Sequence, residues 1–521
     1  MTMTCCQISQ LTAGFEFPIL QNLNFSLTNQ LAGLVAPNGQ GKSLLLRTLA
    51  QQLAPLAGKV QWQITFTYVA QQSFPTDTRL ADALGIAPLY DAFIRIKQGS
   101  TEISDYNLIE ANWHLPSLWQ KLLDEAQLNV NLADSWMQLS GGQQQRLKLH
   151  FAFAQSSDFL LLDEPSNHLD TSTRNWLLAK LEQHATGALI ASHDKALLER
   201  MQAIYQLNKL GIQYFTGNFS AYTLQQQRYE NGLTQQAEQL KKQLKQEKAQ
   251  QQARLEKQQR RQHEGQRLRK TGSQCKLFLD RAKDSAEQSI GQVQQAHEQR
   301  SQQLKEQLKE KQQQLIYKST QSFSIDHKAN QNGLAISIQQ LCMPFTHKVV
   351  SCHIQHGEHW HIEGCNGSGK STLLKLIAQQ LTASTGNIIV LGKCVYLDQH
   401  FSMLNKTQSA YAYLREINPE ISESQWRTLL AGFHLTGDKA LQPIAQLSGG
   451  QQLKVALLAI AHQPQQPIIL LLDEPENHLD LEAKQLLANT LANFQGTYLL
   501  VSHDTEFVKQ AAIDQQLSLD N

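Results

Sequence analysis

Two glycine-rich loops in this chain each end in a lysine and a serine. They are Ala36-Pro37-Asn38-Gly39-Gln40-Gly41-Lys42-Ser43 and Gly364-Cys365-Asn366-Gly367-Ser368-Gly369-Lys370-Ser371, the second followed by Thr372. A loop of this kind turns successive backbone N–H groups and a helix N-terminus toward phosphate oxygens. Lys42 and Lys370 are expected to reach the β and γ phosphates of a nucleotide, and Ser43 and Ser371 to hold Mg²⁺. Asn38, Gly39 and Gly41, with Asn366, Gly367, Ser368, Gly369 and Thr372, complete the two phosphate cradles. Only the first loop departs from the pattern, with Ala36 in place of glycine.

Each loop is followed by the same residues in the same order. An apolar run ends in Asp163-Glu164 and again in Asp473-Glu474; the aspartates suit Mg²⁺ and the glutamates suit polarising a water. His193 and His503 lie 30 residues beyond those aspartates in both halves, a match that favours γ-phosphate sensing over a structural role. Gln71 and Gln399 follow strand-like segments and are expected near Mg²⁺, with Gln72 a neighbour able to take the first role. Phe17 and Phe345 precede their loop lysines by 25 residues and suit adenine stacking, although Phe15 competes and core packing is an equal alternative.

A further string occurs twice, Ser140-Gly141-Gly142-Gln143 and Ser448-Gly449-Gly450-Gln451. Its serine is a helix N-cap and its glycines bare the backbone. It cannot reach the phosphate of its own half and must close on nucleotide held by the other. One composite site therefore joins Lys42, Asp163 and Glu164 to Ser448 and Gly450; the second joins Lys370, Asp473 and Glu474 to Ser140 and Gly142. The expected chemistry is Mg²⁺-dependent hydrolysis of ATP, with nucleotide holding the halves together.

These residues require parallel strands ending at the site, hence an α/β architecture repeated along the chain. A length of 521 residues exceeds one core. The expected organisation is a first nucleotide-binding domain over 1–222, a linker over 223–320 and a second domain over 321–521. The first half carries about 20 extra residues between lysine and signature, placed within about 90–116. No apolar run approaches the ~18 residues of a membrane helix, and the N-terminus lacks the pattern of a signal peptide, so a cytoplasmic protein is expected. The seven cysteines form no CxxC pair, which argues against zinc and iron–sulfur centres.

The linker differs in kind. Proline is absent from about Thr223 to Lys318, and Gln, Lys, Arg and Glu dominate. Two antiparallel helices with a tip near 264–280 are predicted, with Gly265 and Gly272 marking the reversal. Residues 241–283 hold 14 Lys/Arg against 4 Asp/Glu, a net of +10 on a chain whose total is only +1. That concentration is an electrostatic footprint for a polyanion. Candidate RNA contacts are Arg254, Lys257, Arg260, Arg261, Arg267, Arg269, Lys270 and Lys276.

With these motifs in place the whole chain resembles the ABC-F family: two fused ATP-binding cassettes, no transmembrane domain and a charged helical linker. The strings Asp163 to Asp170 and Asp473 to Asp480 are similar to that family's DEPTNHLD, with Asn167, His168, Asn477 and His478 kept. Tyr214 to Tyr222 is similar to the string that leads into the family's linker, and Gly272 to Lys276 to one found at some linker tips. Glu476 departs from the usual Thr or Ser, and the first-domain insertion is shorter than the arm of some members. The resemblance implies ATP and Mg²⁺, a ribosome partner engaging rRNA and tRNA, and a translation factor or antibiotic-resistance protector acting as a monomer. Two other readings stand beside it: an ATPase gripping DNA through the basic linker, and the ATP-binding subunit of a membrane transporter.

Overall fold

The computed structural model describes the chain apart from residues 1–2, 16, 71–73, 76, 111, 155–157, 168, 209–210, 271–298, 312–332, 347, 366, 465–467, 478 and 520–521. It divides into two units, Met1–Ser220 together with Gln321–Asn521, and Ala221–Thr320.

Within the first unit each half builds its own pair of sheets. In the first half the strand Leu31–Val35 lies between Ala188–Ala191 and Ala203–Asn208, and Phe159–Asp163 and Phe66–Val69 extend the sheet outward. All these pairings are parallel; only the edge strand Gly211–Thr216 runs antiparallel. The second half repeats the plan with five parallel strands, in the order Lys393–Asp398, Ile468–Asp473, Thr497–Val501, His359–Glu363 and Gln515–Ser518. A parallel sheet is covered on both faces, so its central strands are apolar throughout. Leu160, Leu161 and Leu162, with Leu470, Leu471 and Leu472, are accordingly at most 1% exposed. The carboxylates come directly after these runs, at the carboxyl ends where parallel α/β sheets bind ligands.

Each half adds a three-stranded antiparallel sheet, centred on Thr4–Gly14 in the first and Leu334–Cys342 in the second. The first half also has a helical region. Its helices Ala87–Lys97 and Ile103–Ile109 are tied by Arg95, whose guanidinium donates to both oxygens of Asp105, from Nη2 to Oδ1 at 2.6 Å and from Nε to Oδ2 at 3.0 Å. The corresponding stretch of the second half contains Ala410–Ile417, Glu423–Gly432 and the short Asp438–Leu441.

The linker contains a helix of 52 residues, Phe219–Lys270, about 78 Å long at 1.5 Å per residue. It passes Gly265 without a break, so the reversal expected from about 264 does not begin there. One glycine costs a helix only about 1 kcal/mol, which its long flanks absorb. Residues 299–311 are helical as well. Gly272 to Lys276 lies outside the described residues, as does the rest of the expected tip from 271 onward.

Candidate nucleotide-binding and hydrolysis site

Both phosphate loops lead straight into helices, Lys42–Leu49 and Lys370–Ile377. The residues that enter them, Gly41 and Gly369, have φ of 91° and 101°, a left-handed conformation that glycine adopts without strain. Ala36 does not need that freedom, because its φ is not positive, and its carbonyl accepts from Lys42 Nζ at 3.1 Å. Its methyl group is accommodated in the core at 2% exposure.

The ammonium group of Lys42 sits at the centre of the first site. It donates to His193 Nε2 and lies 3.8 Å from Glu164 Oε1. His193 N–H donates to Glu164 Oε2 at 3.3 Å. Ser43 donates to the Asp163 carboxylate. Lys370 Nζ likewise turns back on its own loop, donating to the Gly364 and Cys365 carbonyls at 2.6 and 3.0 Å. Ser371 Oγ donates to Asp473 Oδ1 at 2.9 Å, and Tyr396 O–H donates to Asp473 Oδ2 at 2.6 Å. The part played by Tyr396 had no signal in the sequence beyond its place in a strand.

Glu164 and Glu474 share a strained backbone. Their φ values are 47° and 48°, unusual for a side chain with a β-carbon. Each is pinned by its own N–H, which donates to Ala191 O at 2.8 Å or Val501 O at 2.9 Å on the neighbouring strand. The pin turns the carboxylate off the strand end toward the His of the same half, Glu164 lying 3.7 Å from His193 and Glu474 3.6 Å from His503.

Burial sets the protonation of these groups. It pushes Glu164 up to about 7, against the opposing pull of Lys42. Burial also raises Glu474 and Asp163. It holds His193 well below the usual imidazole value, with Lys42 adding to the effect, and brings His503 down to about 4, with Lys370 and Arg174 helping. Both imidazoles are therefore neutral near pH 7.

A cleft of about 530 Å³ contains Lys42, Ser43, Asp163 and Glu164 and is also lined by Ser448 and Gly449 of the other half. It is bridged directly: Asn38 N–H donates to Asp480 Oδ2 at 3.1 Å, and Arg174 donates to the His503 carbonyl at 3.2 Å. The Lys195–Glu506 pair at 2.7 Å adds a third crossing, exposed and worth under about 1 kcal/mol. The cleft beside Lys370 is bordered by Asp170, Thr171 and Ser172 of the first half, whereas Ser140 and Gly142 do not line it. Ser140 is exposed and Ser448 half-buried. Both signature serines close a capping box with their own glutamine, Ser140 N–H donating to Gln143 Oε1 at 2.9 Å and Ser448 N–H to Gln451 Oε1 at 3.0 Å. Gly450 sits tight against the next helix, where a β-carbon would come within 3.2 Å of Ala483 Cβ.

The other expected residues are placed as follows. Phe15 and Ile19 line the first cleft and Phe17 does not; Phe17 and Phe345 are 77% and 84% exposed. Gln399 is half-buried, its Oε1 without a hydrogen-bond partner among the described residues. Gln71, Asn366, His168 and His478 lie outside the described residues. Lys257 and Arg260 are exposed on the long helix, which also carries Arg254, Arg261, Arg267, Arg269 and Lys270; Lys276 is not described.

Paired phosphate loops, paired Asp-Glu strand ends and a signature helix of one half against the loop of the other define a tandem P-loop ATPase of the ATP-binding-cassette type. The chain belongs to the ABC transporter family, whose sequence pattern matches it twice, over residues 20–167 and 347–477. Its curated relatives are proteins of ABC-F type. The putative ATP-binding protein YdiF of Bacillus subtilis is 29% identical, over 98% of this chain and 79% of that protein. The ribosome protection protein VmlR of Bacillus subtilis is 28% identical over 94% and 82%. ABC transporter F family member 5 of Arabidopsis thaliana is 26% identical over 92% and 69%. Among solved structures, archaeal ribosome recycling factor aABCE1 shares the tandem fold, with a TM-score of 0.54 at 17% identity over 98% of this chain and 87% of that one. Among the described residues no helix is long and apolar enough to cross a membrane.

Glu476, the departure from the family string, is fully buried. Ser502 Oγ donates to its Oε1, while Oε2 has no hydrogen-bond partner among the described residues. Burial raises this carboxyl from 4.5 to about 7. The folded protein thus keeps a proton that the unfolded chain loses above about 4.5. Stability from this group is complete below that pH and declines until about pH 7, by roughly 3 kcal/mol at 1.36 kcal/mol per unit. Glu476→Gln cannot lose the proton. Its unfolding midpoint should rise relative to the parent between pH 5 and pH 8; a pH-independent difference in thermal melts would contradict the buried acid.

Proposed function

We propose that this ATPase binds two ATP molecules at composite sites between its cassettes and that closure on ATP governs its binding to the ribosome in the cytoplasm. The Asn38–Asp480 bond and the place of Ser448 and Gly449 in the cleft of Lys42 support a composite site there.

The residues present fit ATP with Mg²⁺. Asp163 Oδ1, Ser368 Oγ and His193 Nδ1 are buried with no hydrogen-bond partner among the described residues. Such atoms cost about 1–3 kcal/mol each when unsatisfied, so a polar ligand gains by meeting them. Ser43 with Asp163, and Ser371 with Asp473, would hold Mg²⁺, which when bound neutralises phosphate charge. Glu164 and Glu474 orient and deprotonate water, and the neutral His193 and His503 each offer one N–H to an anionic oxygen. Lys42 and Lys370 exchange their loop carbonyls for phosphate.

The ribosome reading rests chiefly on likeness to VmlR across 94% of the chain, together with the +10 charge of residues 241–283. A polyanion-binding helix joined to an ATP-gated pair of cassettes is a switch with a sensor and an effector. Sedimentation with 70S particles tests it. The protein should co-migrate with a non-hydrolysable ATP analogue and be released by ADP. Equal binding in both states would remove the gating. Tight duplex DNA binding without ribosome association would instead favour a DNA-acting ATPase.

A further inference from the structure

The two halves differ at two buried positions that converge on one loop. Three residues beyond the strand-end aspartate stands Ser166 in the first half and Glu476 in the second; nine before the loop lysine stands Gly33 in the first and His361 in the second. Gly33 leaves no room for a side chain, since a β-carbon there would lie 2.7 Å from Leu198 Cδ2. In the second half both larger residues bind Ser502, which immediately precedes His503. Ser502 Oγ donates to Glu476, and His361 Nε2 lies 3.1 Å from the Ser502 carbonyl. Asp504 N–H in turn donates to Ser502 Oγ at 3.1 Å, and Asp504 pairs with Lys484 at 3.3 Å. The residues on either side of His503 are thus fixed from beneath by groups of the second cassette. In the first half Asp194 N–H still donates to Ser192 Oγ, at 3.0 Å, but no carboxyl stands where Glu476 does.

We propose that Glu476 is a positioning residue for hydrolysis at the Lys370–Glu474 site: by holding Ser502 it fixes the His503 ring, a restraint the Lys42–Glu164 site lacks. The two sites therefore depend on different groups. This rests on Glu474 and His503 acting in hydrolysis, as proposed above.

Single-site backgrounds separate the two. With Glu164→Gln, turnover reports the second site; with Glu474→Gln, the first. In the Glu164→Gln background Glu476→Ala should lower kcat by about tenfold, as loss of positioning does, with KM for ATP changed less than about threefold. Glu476→Gln still accepts from Ser502 and should stay within about threefold of its parent. Adding Ser502→Ala to Glu476→Ala should cost little more, because the Ser502–Glu476 bond is already gone and only the Asp504 N–H bond to Ser502 Oγ is lost besides. In the Glu474→Gln background the effect of Glu476→Ala should be under about threefold. Equal losses in both backgrounds, no loss in the first, or failure of glutamine to rescue in a protein that melts no lower than its parent would each overturn the proposal. The site assignment has its own control: Glu164→Gln with Glu474→Gln must abolish turnover, and if it does not, that assignment fails whatever Glu476 does.

Discussion

Replacing both Glu164 and Glu474 by glutamine is expected to lower ATP turnover by roughly 10²- to 10⁴-fold, the range a positioned general base contributes. Nucleotide should remain bound. The reason lies in the backbone. Each glutamate occupies a left-handed conformation, fixed by a hydrogen bond from its N–H to the adjacent strand. Glutamine keeps that shape and the side-chain length but cannot accept a proton. The phosphate loops, their lysines and the Ser43–Asp163 and Ser371–Asp473 pairs are untouched. Phosphate release at saturating ATP, with nucleotide binding followed separately, makes the test. A loss below tenfold with intact binding would mean that another group activates the water.

Reversing the charges of Arg254, Lys257, Arg260 and Arg261 together is expected to abolish ribosome binding at physiological salt. Basal ATP hydrolysis should stay within about twofold of the parent, because these residues belong to the linker unit and not to the cassettes. Each phosphate contact contributes nearly one unit to the salt slope of binding, so losing four contacts should flatten log K against log salt by about three to four. Sedimentation across a salt series measures both quantities. Unchanged affinity and slope would mean that this stretch is only a solvated surface.

The chemistry-bearing residues were legible because each obeys a local rule that needs no knowledge of the fold. A phosphate loop must be glycine-rich, and a buried parallel strand must be apolar until its polar end, as Phe159–Asp163 and Ile468–Asp473 are. The doubling of every motif gave the tandem architecture. What depends on two distant segments meeting was not legible. No sequence rule brings Tyr396 to Asp473, Arg174 to the His503 carbonyl or Asp480 to Asn38. Glu476 was visible only as a departure from a pattern; its bond to Ser502 gives that departure a physical meaning. Gly265 misled for the opposite reason. Glycine weakens a helix locally, but a segment this rich in helix formers carries it through.

The most direct test is co-sedimentation of the Glu164→Gln, Glu474→Gln protein with 70S ribosomes in ATP and Mg²⁺, compared with ADP. Without a catalytic carboxylate the cassettes should stay closed on ATP, and the protein should co-migrate with ribosomes in ATP and remain in the supernatant in ADP. A variant that binds ATP yet stays in the supernatant under both conditions would contradict ATP-gated action on the ribosome.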